Sequence, residues 1–302
     1  MGLWRAGYGR SGVGFAPHRH GVEGQNDPSP SRSKNIMTKR LSTPRLRRRT
    51  WLRLLFYGSP LLALAHAGAV EPRWLTVKRL RLPGAGPATR LVHFTDLHHK
   101  GDTALLGRVV KTINDLAPEA VCFTGDLVED ARHLPEALEG LRGIQAPLFG
   151  VPGNHDYWAG LDFDEVDRAF RATGGRWLLD EAVGISGGKV HLLGASCREA
   201  WSLEPKAGSR NVVLIHYPSW VQNLPPATAD LILAGHSHGG QVRLPFIGPS
   251  VLPAGVDGYD LGRFVTPAGV LYVGAGIGWF YLNLRFRCRP EVTLIEMGSG
   301  RS

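Results

Sequence analysis

The stretch LVHFTDLH (residues 91–98) joins an apolar run to two side chains that can bind metal, Asp96 and His98. Its first part has the β-branched and aromatic character of a buried strand, predicted from Leu91 to Thr95. Because side chains alternate between the two faces of extended backbone, the Asp-x-His spacing predicts that both side chains point the same way. The carboxyl ends of strands are where α/β proteins build their sites.

Four further polar clusters follow apolar runs later in the chain. They are Gly125-Asp126 after Ala120–Thr124, Gly153-Asn154-His155-Asp156 after Pro147–Val151, His216 at the end of Val212–His216, and Gly235-His236-Ser237-His238 after Leu231–Ala234. Each cluster alone has an ordinary interpretation as a helix cap, a turn or a structural histidine. Together, the five clusters predict one site in which carboxylate, amide and imidazole groups converge.

Between the predicted strands lie segments in which apolar residues recur with the spacing of a helix. Helices are predicted at Ala104–Leu116, Leu134–Leu141 and 161–172, and further strands at Val190–Leu193, Val270–Val273 and Val292–Ile295. Pro83-Gly84-Ala85-Gly86-Pro87 predicts a turn before the first core strand. Alternating strands and helices predict an α/β fold with helices outside the sheets, as a single domain over residues 71–302.

The donor types indicate which ions the site would hold. Mixed carboxylate and imidazole ligands suit divalent Mn, Zn or Fe. Seven donors are too many for one tetrahedral site and fit two ions that share a bridge. The seven are Asp96, His98, Asp126, Asn154, His216, His236 and His238.

The motif series D-x-H, G-D, G-N-H-D, H and G-H-x-H resembles that of the calcineurin-like metallophosphoesterases, over about residues 90–297. The resemblance implies a four-layer α/β/β/α sandwich of two mixed sheets flanked by helices. The contexts HFTDLHHK, GNHDYW and GHSHGGQVRLPFIG are similar to a bacterial, membrane-associated branch that includes UDP-2,3-diacylglucosamine hydrolases.

The resemblance also implies a role for each residue. One ion would take Asp96, His98 and His238, the other Asn154, His216 and His236, with Asp126 as the bridge. The two ions would clamp a phosphoryl group and activate a water for attack on phosphorus.

Two residues of the third cluster are expected to act beside the ions. His155 would face the leaving group as a general acid or transition-state stabiliser, because histidine titrates near neutral pH. Asp156 would either orient the His155 imidazole or face solvent.

These roles predict a dinuclear metal-dependent phosphoesterase acting on phosphodiester or pyrophosphate bonds of a lipid-linked substrate at a membrane. The first alternative is the same chemistry on a soluble substrate, such as a cyclic nucleotide or a phosphoprotein. The second is a non-catalytic interaction module on this fold, although such relatives typically lose ligands. The residues that would bind the substrate are not identified.

The charge distribution argues against a nucleic-acid partner. The 302-residue chain has a formal net charge of +9, but residues 1–53 hold 12 Lys/Arg against 2 Asp/Glu, and the remainder holds 23 against 24. A nucleic-acid-binding domain carries its basic excess on the folded body. The basic excess therefore belongs to the amino-terminal segment.

Residues 1–36 lack apolar periodicity and are expected to be disordered, with Met37 as an alternative translation start. Residues 37–70 have the three parts of an export signal: a basic region up to Arg53, the apolar run Leu54–Ala65 and small residues after it. Arg48-Arg49 with the residues that follow resembles a twin-arginine motif. An uncleaved anchor is one alternative, and either places the catalytic domain outside the cytoplasm, in the periplasm or cell envelope. The other alternative is a basic tail before an amphipathic lead-in.

Several other residues keep two interpretations at this stage. Arg243 and Arg285 are either substrate-phosphate contacts or ordinary surface and ion-pair groups. The aromatic segment Gly276–Tyr281 is either core or an apolar lip for a lipid surface. Cys197 and Cys288 are compatible with a disulfide, but spacing alone does not decide whether they pair.

Overall fold

The computed structural model describes residues 47–84, 88–198, 203–279 and 281–299. The predicted disorder of residues 1–36 and most of the predicted turn at 83–87 lie outside these ranges. The α-helices are α1 (Arg48–Ala65), α2 (Thr103–Asp115), α3 (Leu134–Leu141), α4 (Asn154–Trp158) and α5 (Phe163–Ala172). The strands are β1 (Thr76–Gly84), β2 (Thr89–Phe94), β3 (Ala120–Thr124), β4 (Leu148–Val151), β5 (Arg176–Trp177), β6 (Glu181–Ile185), β7 (Val190–Gly194), β8 (Arg210–Leu214), β9 (Leu231–Ala234), β10 (Arg243–Leu244), β11 (Gly248–Pro249), β12 (Gly262–Thr266), β13 (Gly269–Val273) and β14 (Glu291–Ser299).

Two six-stranded mixed sheets form the centre of the fold, as predicted. The first sheet has the order β1-β14-β2-β3-β4-β5, and the second has the order β12-β13-β9-β8-β7-β6. Strands β2, β3 and β4 are parallel neighbours in the first sheet, and β7, β8, β9 and β13 are parallel in the second. Parallel strands end at the same edge, so the loops after them meet.

Alternating side chains of each strand supply the three apolar layers. Leu91 and Cys122 of the first sheet pack against Leu192 and Leu214 of the second, and all four are fully buried. On the other face of the first sheet, residues such as Val92 pack against α2, α3 and α5. Successive residues of β2 therefore face different layers, as the period-2 rule requires.

In the described part of the chain, a 3₁₀ helix and loops, rather than α-helices, cover the outer face of the second sheet. The 3₁₀ helix Pro218–Asn223, through Val221, and the following Leu224 pack on Val213 and Ile232. The predicted α/β/β/α order is confirmed at the level of fold class, with a 3₁₀ helix and loops in this fourth layer.

Strand β1 was not predicted. It pairs in parallel with β14 along its whole length, from Thr76 opposite Glu291 to Gly84 opposite Ser299. Its sequence ends in Pro83-Gly84, which favours a turn, and Pro lacks a backbone donor. The pairing with β14 overrides this local preference.

Helix α1 contains the whole apolar run Leu54–Ala65 and continues into a π-helical turn, His66–Val70. An 18-residue window within Arg48–Arg73 has a mean hydropathy of 1.2, so the segment is long and apolar enough to cross a membrane by length and composition alone. Its carboxyl-terminal end contacts the domain. The Arg285 backbone N–H donates to the Ala67 carbonyl at 2.9 Å, and the Cys288 N–H donates to the Glu71 carboxylate at 2.7 Å.

Candidate metal centre

The loops after β2 and β3 run side by side and position the first three donors. The backbone N–H of Asp96 donates to the Gly125 carbonyl, and that of His98 to the Asp126 carbonyl, both at 2.9 Å. Strand β2 ends at Phe94, so strand alternation does not orient Asp96 and His98 as the sequence predicted. Their φ angles of 51° and 40° lie in the left-handed region instead. The two side chains reach one site through this turned backbone.

Left-handed backbone is a shared property of the site. Asp126, His236 and His238 also have positive φ angles, of 64°, 66° and 48°. Such conformations cost of order 1 kcal/mol or more in a residue other than glycine and cluster at functional sites. Five of the seven predicted donors therefore sit in backbone that the fold holds under strain.

The structure brings Asp96, His98 and His238 together in one buried group. Nε2 of His98 lies 3.0 Å from Nε2 of His238, which lies 3.5 Å from Oδ1 of Asp96. The Asp96 carboxylate also accepts the His236 backbone N–H at 2.9 Å, which ties this group to the loop after β9.

A second group contains Asp126, His216 and His236. Nε2 of His216 lies 3.2 Å from Nδ1 of His236 and 3.0 Å from Oδ1 of Asn154. The glycines beside these residues permit the close approach: a Cβ on Gly153 would lie 2.1 Å from Oδ1 of Asp126. All seven predicted donors thus lie in two adjoining groups.

Asp126 lies between the two groups. Its Oδ2 is 3.3 Å from Nε2 of His98 and 3.3 Å from Nε2 of His216. Burial opposes the charged form of this carboxyl, but the neighbouring His216 and His98 outweigh burial and hold the pKa of Asp126 well below its usual range. The carboxylate is therefore placed as a shared, ionised ligand.

The hydrogen bonds of the rings indicate that cations fit here. His216 contacts the Thr124 carbonyl through Nδ1 at 2.7 Å, and His236 contacts the Ala254 carbonyl through Nε2 at 2.7 Å. A carbonyl can only accept a hydrogen bond, so the ring nitrogen that contacts it carries the N–H. In the neutral rings the other nitrogens, Nε2 of His216 and Nδ1 of His236, therefore carry lone pairs, and they face each other. Two lone pairs facing each other at 3.2 Å, beside carboxylate and amide oxygens, are mutually unfavourable without a positive charge between them.

Protonation of one of the two rings can supply such a charge. Burial lowers the pKa of His216, but the nearby Asp126 carboxylate outweighs it and raises the pKa to about 9. His236 lies against His216, and burial together with that positive charge lowers its pKa to about 3. Metal ligation by deprotonated imidazoles would replace these protons.

Asp156 occupies a different place from either alternative that the sequence left open. It is fully buried and contacts backbone rather than the His155 ring. Its carboxylate accepts the N–H groups of Asp126, Leu127 and Gly153 at 2.9, 2.7 and 2.8 Å. Asp156 therefore fastens the loops after β3 and β4 to each other, because only an acceptor can satisfy three converging donors.

Glu129 is a site residue that the sequence analysis missed. Its Oε2 lies 2.9 Å from Nδ1 of His155, and its Oε1 lies 2.8 Å from Nδ1 of His98. Burial opposes ionisation, but contacts with His155 and His98 lower the pKa of Glu129 below its ordinary value. The sequence feature that could have indicated Glu129 is its position three residues after Asp126, in the same loop.

Members of both groups line a pocket of about 860 Å³. Its polar lining includes Asp126, Glu129, Asn154, His155, His236 and His238. Its remaining lining is largely apolar and consists of Trp158, Tyr217, Trp220, Val251, Leu252, Pro253, Ala254, Gly255 and Tyr281. The pocket therefore combines ionisable side chains with aromatic and aliphatic walls.

The two arginines left open by the sequence have separate structural roles. Arg243 forms an ion pair with Asp260 at 2.7 Å. Arg285 is fully buried and forms no ion pair within the described residues: its guanidinium donates to the carbonyls of Ala275, Gly276, Gly278 and Cys288. The Gly278 N–H in turn donates to the Asp96 carbonyl at 2.8 Å, so Arg285 braces the loop that holds Asp96.

The other open interpretations are also resolved by the geometry. Within the segment 276–281, Ile277 is buried in the core, while Tyr281 is exposed and lines the pocket, so the core interpretation holds for Ile277 and the lipid-lip interpretation of Tyr281 stays a prediction. Cys197 and Cys288 do not pair, and the Cys288 thiol contacts the His238 carbonyl at 3.2 Å.

Comparison with known proteins identifies the family. Residues 89–240 match the calcineurin-like phosphoesterases. The chain is 28% identical to the uncharacterized metallophosphoesterase YkuE of Bacillus subtilis, over 84% of this chain and 99% of YkuE. It is 28% identical to the phosphodiesterase YaeI of Escherichia coli, over 75% of this chain and 90% of YaeI.

Two further similarities are more distant. The UDP-2,3-diacylglucosamine pyrophosphatase LpxG of Chlamydia trachomatis is 26% identical, over 79% of this chain and 94% of LpxG. A solved dimetal phosphatase from Danio rerio aligns with a TM-score of 0.42 at 11% identity, over 64% of this chain and 88% of that one. From the family match, the chain belongs to the calcineurin-like phosphoesterases and is a metal-dependent phosphoric ester hydrolase.

Proposed function

We propose that the protein hydrolyses a phosphodiester or pyrophosphate bond in a lipid-linked substrate at a membrane surface. The observation that carries this proposal is the pocket, in which converging metal-type donors adjoin walls of Trp158, Tyr217 and Trp220. A charged phosphoryl group fits the ionisable side chains, and an apolar chain fits the walls. Similarity to LpxG, whose name gives a diacylated sugar nucleotide as substrate, supports the same chemistry.

We assign the seven donors to two divalent cations, with Mn, Zn or Fe best suited to the ligand types. Asp96, His98 and His238 would hold one, Asn154, His216 and His236 the other, and Asp126 would contact both. When bound, such a pair neutralises the phosphoryl oxygens and activates a water.

His155 would handle the proton of the leaving group. Glu129 accepts the Nδ1–H of His155, which fixes the ring and leaves Nε2 for an oxygen in the pocket. A protonated Nε2 would donate to the departing alkoxide or phosphate oxygen, and the Glu129 carboxylate would stabilise the imidazolium before transfer. The chain thus supplies acid catalysis from residues beside, rather than within, the donor set.

Helix α1 would hold the protein at the membrane as an uncleaved anchor. Its apolar residues Trp51, Phe56 and Leu62 are exposed, as expected for a lipid-facing helix. Cleavage among the small residues after Ala65 would remove contacts of Ala67 with the domain. The basic residues before α1 favour a cytoplasmic amino terminus and a catalytic domain outside the cytoplasm.

A substrate profile tests the proposal. The full chain would be assayed with Mn, Zn, Fe and Mg supplied separately, on a diacylated sugar-nucleotide pyrophosphate in micelles and on a cyclic nucleotide and a phosphopeptide in solution. We expect faster turnover of the lipid-linked compound. Equal or faster turnover of the soluble compounds would overturn the lipid assignment and leave the hydrolase chemistry intact.

A further inference from the structure

The hairpin β10–β11 exposes apolar side chains at its tip. Arg243 pairs with Pro249 and Leu244 with Gly248, which leaves Pro245, Phe246 and Ile247 in the turn. The Phe246 side chain is fully exposed (109%) and that of Ile247 is 76% exposed. Phe246 has a φ of 66°, a conformation uncommon for a bulky residue. Strained backbone that presents a large apolar side chain to solvent indicates a contact outside the domain.

The tip belongs to a long uncharged segment that reaches the metal site. Residues 244–256 contain no Asp, Glu, Lys or Arg. The segment leaves the loop that carries His238, forms the hairpin, and returns as the pocket wall Val251–Gly255. Within that wall, the Ala254 carbonyl accepts from His236 at 2.7 Å. The apolar tip of the hairpin and the apolar wall of the pocket therefore belong to one uncharged stretch of chain.

Hydrogen bonds connect the base of the hairpin to the end of α1. The Arg243 N–H donates to the Phe286 carbonyl at 2.9 Å, and the neighbouring Arg285 N–H donates to the Ala67 carbonyl at 2.9 Å. On the same connecting segment Leu282 is 68% exposed. The candidate membrane helix and the hairpin are thus attached to one short stretch of chain.

The charges beside the hairpin suit an anionic lipid surface. Arg287 and Arg289 are exposed immediately after Phe286, the residue that pairs with the hairpin base. Arg289 stacks on the Trp74 ring at 3.5 Å, and Arg287 follows the residue bonded to the hairpin base. An apolar tip with basic residues near the base of its hairpin suits the boundary of a bilayer, where acyl chains lie below anionic headgroups.

From these features we infer that Phe246 and Ile247 insert into the headgroup–acyl boundary of the bilayer that holds α1. The inference rests on the proposed function, because it takes α1 as a membrane anchor. Insertion would set the uncharged segment against the lipid, so that a lipid-linked phosphoester passes along Val251 and Leu252 to the metal donors without crossing water.

A fluorescent label at the tip tests the insertion in the full chain. Phe246→Cys would be labelled with an environment-sensitive fluorophore in a Cys197→Ser background, since Cys122 and Cys288 are buried. The matched control is Val265→Cys, an 82% exposed apolar position on β12. Each protein would be reconstituted into phosphatidylcholine vesicles containing phosphatidylglycerol.

The expected result is a blue-shifted emission at position 246 that headgroup-region nitroxide lipids quench, with a water-like emission at position 265. A water-like emission at both positions would overturn the inference. A blue shift that appears without vesicles and grows with protein concentration would also overturn it, in favour of contact with a second copy.

Activity gives a second readout that separates this inference from the proposed function. Phe246→Ser with Ile247→Ser should lower turnover of a lipid phosphoester in vesicles by about tenfold, from the lost partitioning of two apolar side chains. Turnover of a soluble aryl phosphodiester should stay unchanged, because neither residue lines the pocket. Unchanged vesicle turnover in this double variant would count against insertion. If the parent chain itself does not turn over the lipid phosphoester, the proposed substrate is refuted. The fluorescent label then decides insertion by itself.

Discussion

Glu129 Oε2 lies 2.9 Å from Nδ1 of His155, at the edge of the pocket that contains the predicted donors. This contact fixes which ring nitrogen is left for the substrate, because a carboxylate accepts from N–H and so keeps the Nδ1 proton in place. The same carboxylate also contacts Nδ1 of His98 at 2.8 Å, on the opposite side. One acid thus orients the proposed proton donor and one proposed metal ligand.

Loss of His155 should slow turnover while metal stays bound. His155→Ala removes the proposed proton donor but no donor of the two metal groups, so we expect a loss of about a hundredfold or more on a substrate with a poor leaving group. Steady-state kinetics and elemental analysis of the same sample check this. Wild-type rates on that substrate would contradict the role.

Glu129→Gln should cost about tenfold in turnover, because a neutral amide orients the His155 ring less well. Added to His155→Ala, it should cost less than in the parent chain, because the His155 contact is already absent and only the contact with His98 changes. The control is Glu136→Gln, whose carboxylate contacts His99 outside the pocket and should leave turnover unchanged. Multiplicative losses in the double variant would show that the two residues act independently.

Asp126→Ala should abolish activity and metal occupancy together. The carboxylate contacts both histidine groups at 3.3 Å, and its removal leaves neither proposed ion with a shared anionic ligand. The kinetic assay and metal content should fall in parallel. A metal-loaded, inactive variant would contradict the assignment of Asp126 as the bridge.

Asp156→Asn should destabilise the protein although Asp156 touches no substrate. An amide offers a donor where the structure requires acceptors for three backbone N–H groups, at a cost of about 2 kcal/mol. Urea unfolding measures the change, with the exposed Asp164→Asn as the matched control. Equal stability of both variants would refute the loop-fastening role.

His93 should make the folded state sensitive to acid. Burial lowers the pKa of His93 from 6.5 to about 3, while its Nε2 contacts the Thr124 hydroxyl at 2.9 Å. Between these two values the unfolded chain binds a proton that the folded chain does not, so the free energy of unfolding falls as the pH falls. The contribution of His93 to that slope should approach about 1.4 kcal/mol per pH unit below 6.5.

His93→Gln, which does not titrate, should remove that part of the slope. Urea unfolding in chelator between pH 4 and pH 7 gives the comparison without a contribution from bound metal. An identical slope in the parent and variant would show that another group controls the acid sensitivity.

The sequence predicted the fold class and the convergence of donors because both depend on local patterns. Runs such as Ala120–Thr124 and Leu231–Ala234 occur as strands with the predicted bounds. Parallel neighbours bring together the loops of each sheet, and the packing of the two sheets face to face then brings Asp96 of the first sheet to His238 of the second. The family match supports the chemistry, while individual ligand roles stay predictions.

Other features depended on tertiary contacts that local patterns do not encode. Strand β1 forms through pairing with β14, against the turn preference of Pro83-Gly84. The sequence predicts that Asp156 either contacts the His155 ring or faces solvent, but α4 turns it toward backbone N–H groups of another loop. The Arg285 guanidinium donates to four nearby backbone carbonyls, whereas its charge alone suggests a phosphate or a carboxylate as its partner.

The central claim, that the strand-end donors hold a pair of cations, is tested most directly by anomalous diffraction from crystals soaked in Mn²⁺. The account predicts two peaks about 3.5–4 Å apart, one beside Asp96 and His238, the other beside Asn154 and His216, with Asp126 between them. A single peak, or a peak confined to Glu129 and His155, would contradict it.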